Sequence, residues 1–367
     1  GGESGMNFYV GVTDIDWFNF LAKEKPDEVN FWRPGGKQAF RALEPNELFL
    51  FKLHNPFNYI VGGGFFVKHV ILPLSLAWEA FESKNGTGDY LAFRNAIYKY
   101  RNSDHRTEPD PDIGCIILSS PFFFDREHWI PVPEDWQPNI VQGKTYDTST
   151  QFGQQLYDQV MRVLSARSMH QIELVAERHG ERYGSGYIVH PRIGQGTFKV
   201  MVTEAYHRRC AITGEKTLPV LEAAHIKPYS QKGPHLTSNG LLLRRDIHAL
   251  FDRGYITVNE DYQIEVSKRI KEDYGNGREY YAFHGMELTE IPDRPEERPS
   301  KQFLLWHNEN YVLGLEIIKK KYMKQLRVDS TGVCEVWKWM MCEPHWVFVL
   351  DVAGRRCNRQ ALLNIFR

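Results

Sequence analysis

Residues Ala224 to Asp252, AHIKPYSQKGPHLTSNGLLLRRDIHALFD, decide how this chain is read. Ala223-Ala224-His225-Ile226 is a short apolar run that carries a histidine. A polar loop punctuated by Pro228, Gly233 and Pro234 follows and closes at Asn239-Gly240. Leu241-Leu242-Leu243 leads into Asp246-Ile247-His248-Ala249-Leu250-Phe251-Asp252, whose spacing predicts a helix. Asp246 is of a type that caps helix N-termini, and Leu250 and Phe251 supply an apolar face. The order is strand, loop, strand, helix, with a histidine at each end.

This layout resembles the HNH (ββα-metal) endonuclease family, and His225, Asn239 and His248 fall at its three named positions. The resemblance implies phosphodiester hydrolysis with a divalent ion, Mg²⁺ or Mn²⁺. That chemistry needs a base to deprotonate water and a cation to stabilise charge on the phosphate. A histidine titrates near neutrality, so His225 suits the base role. Asn239 at a loop–strand junction can hydrogen-bond nearby backbone and hold the His225 strand against the helix. His248 on the helix would ligate the metal. Many members carry Asp or His directly before the base histidine as a second ligand, and here that position is Ala224. Asp252, one helical turn beyond His248, is the expected substitute, whereas capping already accounts for Asp246. Taken singly, a strand histidine is a structural residue and Asn-Gly a turn. Their order together carries the reading. Members with a structural zinc hold it on two Cys-x-x-Cys pairs. Here Cys210 is followed by Thr213 and no pair sits near Leu243, so no structural zinc is expected.

At 367 residues the chain has room for about two domains. Its 42% hydrophobic and 25% charged residues are those of a globular protein. No apolar run approaches a membrane span, and no signal peptide is visible. Five widely spaced cysteines argue against a disulfide framework and suit a cytoplasmic protein. Net charge is −1, so a nucleic-acid binder must localise its basic residues. They do cluster around the motif. Arg192, Lys199, Arg208, Arg209, Lys216, Lys227, Lys232, Arg244 and Arg245 outnumber Glu204, Glu215, Glu222, Asp246 and Asp252. Arg192, Lys227, Arg244 and Arg245 are the expected contacts to the DNA backbone.

Upstream, residues 6–150 read as one aromatic-rich α/β unit. Strands are predicted at Asn7–Val12, Leu48–Leu53, Tyr59–Val67 and Ile113–Leu118, and helical spacing at Asp14–Leu21, Trp78–Phe81 and Tyr90–Ile97. The segments Phe31-Trp32-Arg33-Pro34-Gly35-Gly36, Gly62-Gly63-Gly64-Phe65-Phe66, Trp78 with Lys84-Asn85-Gly86, and Ile117-Leu118-Ser119-Ser120-Pro121 resemble the EVE branch of the PUA-like superfamily. That resemblance implies a compact β-barrel that reads modified bases. A base-reading pocket needs flat aromatic walls and polar groups at the base edge. Trp17, Trp32 and Trp78 are candidate walls, and Asn85, Ser119 and Ser120 candidate edge readers. Tryptophans of a small barrel are most often part of its core. The three-glycine run is either a close approach to a ligand or a bulge that curls a strand.

Residues 151–182 read as a helical linker, with Leu156, Val160, Val163 and Leu164 on one face and Gly180 as its stop. It is expected to keep reader and cutter apart. Residues 183–324 hold the nuclease unit. At its start, Gly194 and Gly196 make either a phosphate cradle beside Arg192 or a plain turn. A hairpin is predicted from Tyr255–Val258 and Gln263–Val266, and Lys319-Lys320-Lys321 is a further basic cluster. Residues 1–5 read as an appended leader outside the fold, and 325–367 as a tail whose Cys334, Cys342, Cys357 and His345 lack any tight metal-binding pair. The whole is expected to be a mixed α/β (α+β) protein. Its expected activity is modification-dependent, type IV-like restriction of double-stranded DNA carrying 5-methyl- or 5-hydroxymethylcytosine, with a homodimer left open. An RNA-directed nuclease and a non-catalytic binder with a decayed metal site are the rivals.

Overall fold

Long apolar runs, several buried on both faces, place most strands of the first half in one sheet. A computed structural model describes residues 5–101, 108–179 and 193–311, with the backbone alone over 167–179. Arg192, Gly180, Lys319-Lys320-Lys321 and Cys334, Cys342, His345 and Cys357 lie outside the described residues. The described residues belong to one compact unit.

The elements are β1 (Asn7–Thr13), α1 (Ile15–Glu24), β2 (Glu28–Arg33), β3 (Leu48–Leu53), β4 (Tyr59–Pro73), α2 (Leu74–Phe81), α3 (Tyr90–Arg101), β5 (Asp112–Phe123), β6 (Ile130–Pro131), β7 (Gly143–Asp147) and α4 (Gln151–His179). Then come α5 (Gln195–Ala205), β8 (Leu221–His225), β9 (Gly240–Arg244), α6 (Arg245–Asp252), β10 (Ile256–Val258), β11 (Ile264–Val266), α7 (Arg269–Tyr274), α8 (Arg278–Tyr281) and α9 (Lys301–Asn310). The chain is a mixed α/β protein with a large, mostly antiparallel sheet.

That sheet runs β2-β5-β4-β3-β1-β7, with β6 added to β4. Among the described residues only β1 and β3 pair in parallel, Phe8 opposite Leu48 through Thr13 opposite Leu53. The expected closed barrel is not seen. β2 and β7, the two ends of the path, pair with no further strand among the described residues. The edge at β2 is covered instead by the 3-10 turn Glu82–Asn85, where Asn30 donates to Asn85 Oδ1 (2.9 Å) and Trp32 Nε1 to Asn85 O (2.9 Å). β4 is bulged between Gly63 and Phe65 and again between Phe66 and Lys68. A Cβ at Gly62 would lie 2.2 Å from Phe122 O and one at Gly63 2.4 Å from Phe49 O, so these glycines admit neighbouring strands rather than a ligand.

The stretch that resembles the HNH family packs around its own core of Phe198, Leu241, Leu243, Ile247, Phe251 and Ile256. β8 and β9 are antiparallel, Leu221 opposite Arg244 and His225 opposite Gly240. The predicted hairpin is β10–β11. Asp246 does not cap α6, because the helix begins one residue earlier with Arg244 as N-cap. Its carboxylate is held by Arg244 (2.6 and 2.8 Å) and Tyr280 Oη (3.2 Å).

The expected separation of the two parts is not what forms. Leu156 and Val160 of α4 are buried in the core of the sheet lobe, so this part of the helix belongs to that lobe. α5 of the nuclease part then docks on α2 and β2. Glu28, fully buried on β2, accepts from Gly196 N (2.7 Å), Thr197 N (3.0 Å), Thr197 Oγ1 and Lys84 Nζ (2.9 Å). A carboxylate at a helix N-terminus satisfies free N–H groups and complements the helix dipole. The two glycines thus receive this chain's own carboxylate, and not a phosphate: a Cβ on Gly194 would lie 2.3 Å from Glu28 Cδ.

Candidate functional site

β8, the loop after it and α6 converge on a cleft of ≈ 760 Å³ that contains His225, Glu222, Arg245, His248 and Asp252. Its opposite wall comes from the sheet lobe, where Trp78, Glu79 and Glu82 line it. Asn239, fully buried, ties the loop shut. Its Oδ1 accepts from Lys227 N (2.9 Å) while its Nδ2 donates to Lys227 O (3.0 Å) and Pro234 O (2.9 Å). Ile226 N also donates to Asn239 O (2.9 Å), which fixes the strand end that carries His225.

His225 stacks on Phe198 at 3.8 Å between ring centres and 14° between planes. Its Nε2 lies 3.0 Å from Nδ1 of His235. Burial pushes the His225 imidazole down to about 4, His235 and His248 add to this, and Asp252 opposes it. The ring is therefore neutral at physiological pH, as a base must be. His248 behaves oppositely. Burial works against its charge, but hydrogen bonds to Asp252 and Glu222 prevail and raise it. Its Nδ1 sits 2.8 Å from Glu222 Oε2, and its Nε2 sits 3.3 Å from Asp252 Oδ2.

Among the described residues no group of three or more His, Cys, Asp or Glu side chains is gathered for a metal. The donors present still fit a hard divalent ion. A carboxylate on one ring nitrogen of a metal-binding histidine orients the other nitrogen, and Glu222 stands in that relation to His248. His248 Nε2 and Asp252 would hold the ion, with the rest of its shell left to water and phosphate, as Mg²⁺ prefers. Ala224 is fully buried in the nuclease core, so the position where many relatives place a ligand faces packing here.

Of the expected backbone contacts, Arg245 lines the cleft and pairs with Glu222 (3.0 Å). Arg244 is committed to Asp246, and Lys227 Nζ lies 5.2 Å over the Trp306 ring. Lys199, also in the cleft, joins Arg245 as a basic group there.

A second cavity of ≈ 600 Å³ opens in the sheet lobe and takes in Trp17 and Trp32 of the six expected base contacts. The other four are elsewhere. Trp78 lines the nuclease cleft. Asn85 is fully buried, with its amide spent on Asn30, Ala77 O and Glu82 O. Ser119 is fully buried beside Phe65 O, and Ser120 takes a left-handed turn (φ 46°) whose N–H donates to Asp27 O. Trp17 packs edge-on against Phe31 (5.5 Å) and Phe51 (5.1 Å), so only part of it meets the cavity. The polar lining includes instead Asp14, His54, Tyr100 and Gln142, with Arg33, Lys37 and Arg101 as cations. Tyr100 Oη donates to Asp14 Oδ2 (2.5 Å), and burial together with this bond raises the phenol. Asp14 is the N-cap residue of α1, but its carboxylate makes no cap bond and stays with Tyr100.

Residues 210–259 match the family model described as HNH endonuclease. This stretch is an HNH endonuclease domain. Among solved structures, a mutant ZmASCH protein from Zymomonas mobilis is 11% identical, with 41% of this chain and 96% of that chain covered at a TM-score of 0.28. A structure titled modification dependent TagI restriction endonuclease is 14% identical, with 77% and 74% covered at a TM-score of 0.23. Comparison with curated proteins finds no match. No helix among the described residues is long and apolar enough to cross a membrane.

The HNH domain holds two groups that sequence reading passed over, Glu222 and His235. Glu222 stands three residues before His225, and its charge was counted only against DNA binding. His235 is a loop histidine whose partner is set by the fold of the loop.

Proposed function

We propose that this chain is a modification-dependent DNA endonuclease that accepts a flipped modified cytosine, such as 5-methyl- or 5-hydroxymethylcytosine, in the sheet-lobe cavity and cuts with its HNH domain. The observation that carries the nuclease half is the pairing, in one cleft, of a neutral, half-buried His225 with a carboxylate-oriented His248 and its neighbour Asp252. His225 takes the proton of the attacking water. Asn239 holds the strand end that aims it, and Arg245 and Lys199 meet the phosphate. A divalent ion at His248 and Asp252 would stabilise the charge that develops on phosphorus oxygens.

The reader half is supported by the sheet-lobe cavity. Trp32 offers an aromatic surface there, with its Nε1 fixed to Asn85 O. Asp14 offers a carboxylate, a group that accepts from the exocyclic amine of cytosine and repels the carbonyl that thymine has in its place. Base–aromatic stacking contributes ~1–3 kcal/mol. The test is digestion of matched duplexes carrying cytosine, 5-methylcytosine or 5-hydroxymethylcytosine, with Mg²⁺ or Mn²⁺ and with chelator. Cutting of the modified duplexes only, and only with metal, is expected. Equal cutting of all three sinks the reader. Cutting of modified RNA in preference to DNA moves the substrate class.

A further inference from the structure

The HNH reading gives His225 a task but leaves its neighbour without one. His235 comes from the loop between β8 and β9, and its Nδ1 meets His225 Nε2 at 3.0 Å. His225 lines the cleft and His235 does not, so the Nε2 edge of His225 is turned to the loop and Nδ1 is left for the cleft. Both rings are clamped in plane. Phe198 stacks on His225 (3.8 Å, 14°), and Tyr229, 65% exposed, stacks on His235 (4.6 Å, 7°).

Two imidazole nitrogens at this distance need one donor and one acceptor. The surroundings keep both rings uncharged. Around His225 stand His235, His248 and Asp252, and burial dominates. His235 is lowered by burial, with Glu28 and Asp27 opposing and Lys84 adding. A base held this low keeps a proton poorly on its own, since base strength and proton-transfer driving force fall together. A second imidazole one hydrogen bond behind it removes the need to keep that proton.

We propose, resting on the nuclease reading above, that His235 is a positioning and relay residue for His225. As a water oxygen attacks phosphorus, its proton passes to His225 Nδ1. The Nε2 proton of His225 passes to His235 Nδ1, and His235 releases its own Nε2 proton to solvent on the loop side. The bond from phosphorus to the leaving oxygen breaks, and that oxygen takes a proton from water. No charge remains on the half-buried ring, and exchange with solvent returns both rings to their starting tautomers.

The experiment uses the full chain, a modified-cytosine duplex and Mg²⁺ or Mn²⁺. His235→Ala is expected to lower kcat by about tenfold or more with KM little changed, and added imidazole to restore part of it. His235→Asn keeps an acceptor for His225 but cannot carry a proton, so its kcat falls as well and imidazole does not help. Melting curves check that both variants fold. Wild-type kcat in either variant overturns the relay. Nitrogen-15 spectra of labelled histidines give a readout independent of cutting: His235 must show a bare Nδ1 and a protonated Nε2, and the reverse overturns the proposal. An inert wild-type chain sinks the nuclease reading and the relay with it. An active wild type with active variants sinks the relay alone.

Discussion

The cleft at His225 and the cavity at Trp32 are assembled in different ways. Glu222, His225, Arg245, His248 and Asp252 of the cleft come from one contiguous strand–loop–strand–helix stretch, with Lys199 added from α5. The cavity collects Asp14 from the start of α1, Trp32 from β2, His54 after β3, Tyr100 from α3 and Gln142 before β7. A site made by local geometry has residue spacings that survive in sequence. A site made by packing distant elements has none. The two are also joined, because β2 carries Trp32 at one end and Glu28, the cap of nuclease helix α5, at the other.

The largest effect should come from the cleft. His225→Ala is expected to cut the cleavage rate by ~10²–10⁴-fold, since a positioned general base contributes that much. Binding of modified DNA by the same variant should be unchanged. Near-wild-type cutting would remove His225 from the mechanism and erase the contrast between a cutting site and a binding site.

The joint between the lobes comes next. Glu28→Ala leaves two helix N–H groups and a threonine hydroxyl without their acceptor in a buried place, which costs roughly 2–3 kcal/mol. Urea unfolding should show that loss. A change within experimental scatter would mean that α5 docks through apolar contacts alone.

The cavity should respond more modestly. Trp32→Ala should weaken binding to modified DNA by ~1–3 kcal/mol, the worth of one stacked base, and weaken unmodified DNA less. Titrations of both duplexes at one salt concentration decide it, because phosphate contacts alone vary with salt. Equal losses on both duplexes would mark Trp32 as a structural tryptophan.

The last effect is a pH dependence from the HNH domain's core, seen only in acid. His307, 2% exposed, is pushed down to about 4 by burial, with the bond to Phe251 O and the nearby Asp252 opposing. The unfolded chain then takes up its proton first, near 6.5, and the folded chain only near 4. Stability should therefore fall as pH drops through that window and be restored above it. His307→Gln should flatten the slope. An unchanged slope would place the acid sensitivity elsewhere, with His225 the next residue to test.

The placement of His225, Asn239 and His248 on strand, loop and helix was legible because one contiguous ββα unit, Leu221 to Asp252, carries all three, so their spacing is set by local geometry. Strands β1, β3, β4 and β5 and helices α1 to α3 were legible too, as alternation and helical spacing are local properties, whereas β2 and β7 were not. Tertiary structure alone decided that Trp78 faces the nuclease cleft, that Asn85 and Ser119 are structural, and that Asp14 and Tyr100 enter the cavity. It also decided that Ala224 is core, that Glu222 orients His248, and that Glu28 caps a helix 168 residues away. Burial and hydrogen-bond demand settle such roles. Both depend on what other segments bring to the same place, and that is not encoded in the spacing of any one segment.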